Sequence, residues 1–378
     1  MERLACAPRR DWQARVEHLG LVWHGAGNQP YWDESACYRF SPDDIAQIEQ
    51  ATAELYRLFI AAGQHVLDQD LLGSFGIPEF CHRSIRQAWD GEPAALNYGR
   101  FDLGYDGAGP PKLFEFNCDT PTSLLEASVI QWDWKEALFP DADQFNSLHE
   151  RLVDRWRAIA PPRGTSMLHL TYVDGNMGED AVTVAYMADT AREAGIDTQL
   201  ILTPHLGWDH GRCRFVDLDN RPIDALFHLY PWEWIIHEPF GREVIESLSS
   251  TLWIEPIWKM IWSNKAILPI LWDLFPDHPN LLEASRTPIA GDHVVKPLLA
   301  REGANVRVVR DGETVAQSGG DYGEEGFVYQ RFYPLPGTGE QRPVLGSWVV
   351  DGEPAGLGIR EDGWITGNGA RFVPHIIA

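Results

Sequence analysis

Arg100 and Asp102 stand one residue apart, and so do Glu115, Asn117 and Asp119. In the first set the polar residues alternate with Phe101 and Leu103, and in the second with Phe114, Phe116 and Cys118. This is the period of two half-buried strands, and Asp106-Gly107 and Pro110-Pro111 between them turn the chain into a hairpin. One face is apolar, while the other carries an arginine, three acids and an amide. Asp102, Glu115 and Asn117 present hard oxygens of the kind that hold magnesium, whose remaining shell goes to water and phosphates. Arg100 on the same face is suited to a two-pronged grip on a carboxylate or phosphate. Asp119-Thr120-Pro121-Thr122-Ser123 then begins a helix whose N-terminus favours an anion. A solvated sheet face with an Arg–Asp pair has the same spacing, so the pattern leaves both readings open.

Two lysines lie in apolar surroundings. Lys296 sits inside VVKPLL, where a lysine is costly without a partner. Arg301-Glu302-Gly303-Ala304-Asn305 follows, a glycine-containing loop whose backbone amides are able to cover phosphates. Lys265 lies in SNKAILPILW, where a helix lysine snorkelling to water is the plainer reading. The loop Asp174 to Asp180 joins a strand to a helix but lacks G-x-G-x-x-G. Glu179 and Asp180 suit the positive end of that helix. They also suit a pocket for a cationic amine, which Trp232, Glu233 and Trp234 would help to line.

The elements that must position these residues fall into three segments. In 1–162, Ser41-Pro42-Asp43-Asp44 starts a helix with Ile45, Ile48, Leu55, Leu58, Phe59 and Val66 on one face. The hairpin follows, then helices over SLLEASVIQWDWKEALF and QFNSLHERLVDRWRAI, ending at Pro161-Pro162. In 163–260 a strand (MLHLTYV), a helix (EDAVTVAYMADTAREAGI) and two strands (TQLILT, ALFHLYPW) predict a small parallel sheet. In 261–378 the style is antiparallel, with Asp311-Gly312 and Asp351-Gly352 as hairpin turns.

Composition sets the limits. A formal charge of −24 over 378 residues argues against nucleic acid or an anionic membrane as partner. An anionic small ligand would need a local cluster of cations. Cysteines at 6, 37, 81, 118 and 213 show no C-x-x-C spacing, which predicts a reduced, cytoplasmic protein without a common zinc site. The N-terminus has no apolar run of signal-sequence length. The apolar stretch 253–275 is broken by Glu255, Lys259, Lys265, Asp273 and two prolines, so it is not read as a membrane span.

Taken together, R-x-D, E-x-N-x-D-T, W-S-N-K-A-I-L-P and V-V-K-P followed by R-E-G-A-N resemble the glutathionylspermidine synthase family, in its synthetase half and its stand-alone synthetase-like members. The resemblance runs in family order from about Trp23 to the end. It implies an α/β (α+β) fold of the ATP-grasp type, with antiparallel sheets and a separate small parallel lobe. The implied activity is an ATP-dependent ligase that phosphorylates a carboxylate and lets an amine attack the acyl phosphate. It further implies magnesium ligands at Asp102, Glu115 and Asn117, with Arg100 steadying the reacting carboxylate. Lys265, Lys296, Gln330 and Arg360 fall at the ATP site, and Thr120 and Glu179 where peptide and amine are handled. The amidase domain of the bifunctional members is not expected, nor is hydrolysis of the amide. Cys118 replaces a common alanine. Small-molecule substrates are implied, glutathione and spermidine among them. A nucleotide-binding regulatory protein that has lost turnover is the alternative, against which the intact carboxylate-activating set weighs.

Overall fold

Ser41 opens the longest helix. Its Oγ accepts the N–H of Asp44 at 3.2 Å and the Asp44 carboxylate accepts the N–H of Ser41 at 2.9 Å, closing a capping box ahead of Pro42–Asp68. The computed structural model describes residues 1–26, 29–159, 167–175 and 178–378. Ile45, Ile48, Leu55, Leu58, Phe59 and Val66 are all buried, as their spacing predicts. They lie on a five-stranded antiparallel sheet in the order Arg371–Phe372, Glu353–Asp362, Arg342–Val350, Gly99–Gly104, Lys112–Asn117. Phe59 meets Phe101 and Phe116 edge-on, at 5.5 and 5.1 Å, and those two rings stack at 3.8 Å. The apolar side of the predicted hairpin is therefore the floor under the long helix, which turns the polar side toward the rest of the molecule.

One residue departs from the expected alternation. Asp102 faces Glu115 while Leu103 faces Leu113, so Phe114 is the extra residue of a β-bulge. It leaves the apolar face and lines the cavity described below. The helix expected after the hairpin begins with a π-helical turn, Glu126–Ile130, before Gln131–Leu138.

A second antiparallel sheet runs Ala284–Ser285, Phe327–Arg331, His293–Pro297, Arg307–Arg310, Glu313–Gln317. Asp311 and Gly312 have φ of 50° and 80°, and Asp351 and Gly352 of 53° and 79°. Two successive positive φ values are the signature of the type I′ hairpin that both Asp-Gly pairs predict. The parallel sheet is ordered Leu252–Ile254, Ala225–Leu229, Leu168–Tyr172, Thr198–Leu202, with helix Glu179–Glu193 crossing between the last two. The apolar stretch 253–275 resolves into the end of one strand and the helices Lys259–Ser263 and Ile267–Leu274. Among the described residues no helix is long and apolar enough to cross a membrane. A small sheet of Glu2–Ala5, Ala36–Phe40 and His375–Ile377 joins the two ends of the chain. The expected boundary at Pro161-Pro162 lies outside the described residues.

His375 is fully buried in that last strand. Its Nε2 accepts the N–H of Phe145 at 3.2 Å and its Nδ1 lies 3.0 Å from Gln131 Oε1, a pattern that needs a neutral ring. Burial lowers its pKa from 6.5 to about 3. Between those values the unfolded chain binds the proton and the folded chain does not, so this contribution to stability is present above pH 6.5 and lost as pH falls toward 3. We expect His375→Gln to lose less of its thermal midpoint than the parent between pH 7 and pH 4, measured by thermal melts; equal losses would show that His375 does not titrate on unfolding.

Candidate active site

Between the polar face of the hairpin, the second antiparallel sheet and the parallel lobe lies a cavity of ≈ 700 Å³. Arg100 enters it from the hairpin. Its Nε donates to Asp102 Oδ1 at 2.7 Å, its Nη2 to Oδ2 at 3.3 Å, and its Nη1 to the Thr122 carbonyl at 2.7 Å. The neighbouring strand passes with Gly346 opposite Asp102, and a Cβ there would stand 2.6 Å from Arg100 Cδ. Glycine leaves the room that the arginine takes. From the next strand Arg360 Nη2 donates to Asp102 Oδ2 at 2.7 Å.

Asn117 joins the two acids, its Nδ2 lying 3.0 Å from Asp102 Oδ2 and 3.4 Å from Glu115 Oε1. Lys265 sits at the break between helices Lys259–Ser263 and Ile267–Leu274. It does not snorkel: buried at 7% exposure, its Nζ pairs with Glu115 Oε2 at 3.0 Å and donates to the Ala300 carbonyl at 2.7 Å. Lys296 donates to Gln330 Oε1 at 2.9 Å and to the Phe114 carbonyl at 3.1 Å, so the bulge supplies one of its partners. Gln330 is held in turn by donating to the Leu113 carbonyl at 2.9 Å. Burial pushes the Glu115 carboxyl up, but Lys265, Lys296 and Arg360 outweigh it and hold the pKa at about 2. Burial lowers Lys296 to about 8, with Lys265 adding to the fall and Glu115 opposing it.

The far end of the cavity belongs to the parallel lobe and the loop after Lys296. Thr120 Oγ1 accepts from Arg301 Nη1 at 2.8 Å, and Arg301 Nη2 donates to Glu233 Oε1 at 2.6 Å. Trp234 lines the cavity under this arginine, 5.9 Å away, while Trp232 is core. Glu179 begins its helix as expected, yet the lining residue there is its neighbour Asp180. Burial, with Glu179 and Glu302 adding to it, raises Asp180 to about 6. Asn176 and Met177 of the predicted loop lie outside the described residues. Arg301 was legible only as part of a glycine-containing loop; its contact with Glu233 spans 68 residues of sequence and leaves no local signal.

Asp102, Glu115 and Asn117, the residues expected to hold magnesium, are brought together, with the Asn117 amide donating to both acids. Only two of the three are carboxylates, and among the described residues no three His, Cys, Asp or Glu side chains converge as a metal cluster.

Comparison with known families matches residues 3–378 to the family described as glutathionylspermidine synthase preATP-grasp. The chain belongs to this family. A Haemophilus influenzae protein provisionally named an acid–amine ligase is 38% identical over 99% of both chains. Trypanothione synthetase of Crithidia fasciculata and the bifunctional glutathionylspermidine synthetase/amidase of Escherichia coli are each 28% identical, over 82% and 86% of this chain. The chain spans about half the length of those two relatives, 51% and 56%. Among solved structures, a glutathione synthetase-like effector of Globodera pallida, in its apo form, matches with a TM-score of 0.55 at 12% identity, covering 99% of this chain and 100% of its own. The mixed α/β, ATP-grasp-like fold expected of the glutathionylspermidine synthase family is thus the fold observed, and the family is one of ATP-dependent ligases.

Gly346 provides a test of the geometry. If the chain is an ATP-dependent ligase of an acid, Gly346→Ala should keep its far-UV circular dichroism yet displace Arg100, reducing acid-dependent ADP release by about tenfold or more. Unchanged turnover would mean that Arg100 does not need the position it occupies.

Proposed function

We propose that the chain is an ATP- and magnesium-dependent ligase that joins an acid to an amine through an acyl phosphate, the acid a glycine-terminated peptide such as glutathione and the amine a polyamine such as spermidine. The observation that carries this reading is the charge imbalance at one end of the cavity, where Arg100, Lys265, Lys296 and Arg360 surround Asp102 and Glu115. Four cations against two carboxylates leave two positive charges unneutralised, a setting for polyphosphate in a protein whose overall charge is −24.

On this reading Lys265 and Lys296 contact the phosphates of ATP, and Gln330 orients Lys296 beside the nucleotide. Arg100 holds the acid while its carboxylate oxygen attacks the γ-phosphorus, and Arg360 shares the charge that accumulates. Transfer brings two anions together, and donors already fixed by Asp102 lower that cost without reorganising. Magnesium held by Asp102, Glu115 and Asn117 would supply further charge neutralisation at the phosphates. Thr120 meets the peptide, and Glu179 with Asp180 meets a cationic amine. The names of the relatives support the pairing of a peptide with a polyamine, and an acidic surface favours the approach of a polycation.

Two measurements test the proposal. With glutathione, ATP and magnesium but no amine, hydroxylamine should trap a hydroxamate; with spermidine, one ADP and one phosphate should appear per amide. Arg100→Ala should suppress both, and omission of magnesium should do the same. A panel of peptides and amino acids that yields neither hydroxamate nor amide would make the chain a nucleotide-binding protein without turnover. Separately, Lys296→Met should abolish most of the thermal shift induced by ATP. It should also lower the midpoint without ATP, because Gln330 Oε1 and the Phe114 carbonyl lose their donor. A full ATP shift would show this lysine to be structural.

A further inference from the structure

We infer that Glu255 and Lys259 are positioning residues for the amine-attack step, coupling the parallel lobe to the hairpin on which the acyl phosphate forms. The inference rests on the ligase reading above. Neither residue lines the cavity, and both are at 0% exposure. Their charged groups lie 3.0 Å apart. A fully buried ion pair is weak evidence of stability, since apolar residues of similar size do as well or better. What distinguishes this pair is where its remaining hydrogen-bonding capacity goes.

Glu255 Oε1 accepts the N–H of Leu96 at 2.9 Å, and Lys259 Nζ donates to the Tyr98 carbonyl at 3.2 Å. Leu96 to Tyr98 run directly into strand Gly99–Gly104, which carries Arg100 and Asp102. The Glu255 carbonyl accepts the indole N–H of Trp232 at 3.0 Å, and His228 Nε2 lies 3.0 Å from the same oxygen. Those two residues belong to the parallel lobe, at the end of strand Ala225–Leu229 and just after it. The backbone N–H of Trp232 then donates to Asp119 Oδ2 at 2.8 Å, two residues past the hairpin's second strand. The beginning and the end of the hairpin are thus tied to one buried point on the lobe. That same lobe carries Asp180, Trp234 and the Glu233 that grips Arg301.

The two halves of the reaction depend on this joint unequally. Acyl phosphate formation uses cations that converge on the hairpin itself. Amine attack needs an amine held by the lobe to meet an acyl carbon held by the hairpin, and a misplacement of about 1 Å at such a junction costs about 100-fold. The ion pair fixes the distance between them because it binds specified backbone atoms, which an apolar pair would not do.

The test compares the parent with the neutral, near-isosteric double variant E255Q/K259M and with K259R. Each is assayed with glutathione and ATP, once with hydroxylamine and once with spermidine, alongside thermal melts. We expect amide formation by E255Q/K259M to fall about tenfold or more while hydroxamate formation falls less than about threefold, since hydroxylamine needs no holding by the lobe. The loss should lie in kcat for spermidine, and K259R should recover part of it. Equal loss of hydroxamate and amide, or no loss of either, would overturn the inference, with K259R deciding by the same ratio if the double variant does not fold. A parent protein that yields neither product overturns the ligase reading and takes the inference with it.

Discussion

The Asp102 carboxylate is the point on which the central sheet converges. Arg100 reaches it from its own strand, Asn117 from the adjacent strand and Arg360 from two strands away, across a position where Gly346 leaves the path open. A buried carboxylate is tolerable only if its lone pairs are met. Meeting them here requires side chains separated by up to 258 residues, so forming the sheet and building the cavity's charged end are one event. The apolar face of the same strands does complementary work: Phe101 and Phe116 are stacked beneath Phe59, and this fixes the rotation of the hairpin that points Arg100 and Asp102 into the cavity.

Local periodicity made part of this visible. Alternation placed Asp102, Glu115 and Asn117 on one face, and cross-strand pairing of Asp102 with Glu115 is what that alternation means in three dimensions. The two Asp-Gly turns and the Ser41 cap were legible because their chemistry is confined to a few adjacent residues. Phe114 was misplaced because a bulge adds one residue without changing the composition of the strand. The contacts of Lys265 with Glu115, of Arg301 with Glu233 and of Lys259 with the Tyr98 carbonyl were invisible for a different reason: the partners are distant in sequence, and pairing across such separations is set by packing of whole elements. The short strand Leu252–Ile254 likewise carries no alternation of its own, running into the apolar stretch 253–275.

The bulge at Phe114 shows why such features persist at working sites. An unbulged strand would spend the Phe114 carbonyl on the ladder; released from it, the carbonyl accepts from Lys296. Gln330 takes a second Lys296 proton and anchors itself on Leu113, the residue before the bulge. The second antiparallel sheet is therefore tied to the hairpin at two successive carbonyls. The lysine that would otherwise be a costly charge in an apolar strand becomes the bolt between two sheets.

The same pairing explains why the cationic end cannot be understood residue by residue. Glu115 stays ionised, with a pKa of about 2, because Lys265, Lys296 and Arg360 surround it, and its charge in turn opposes the fall of the Lys296 pKa. Removing one member leaves an uncompensated buried charge on its partner, a larger penalty than the pair itself contributes in stability. Effects of single substitutions here will exceed what each contact is worth and will not add, so double variants that remove a cation together with its acid are the fairer measure of each pair. By that logic the excess of two positive charges is a property of the cluster. It survives in a protein of net charge −24 because every cation in it is anchored to an acid or a backbone carbonyl.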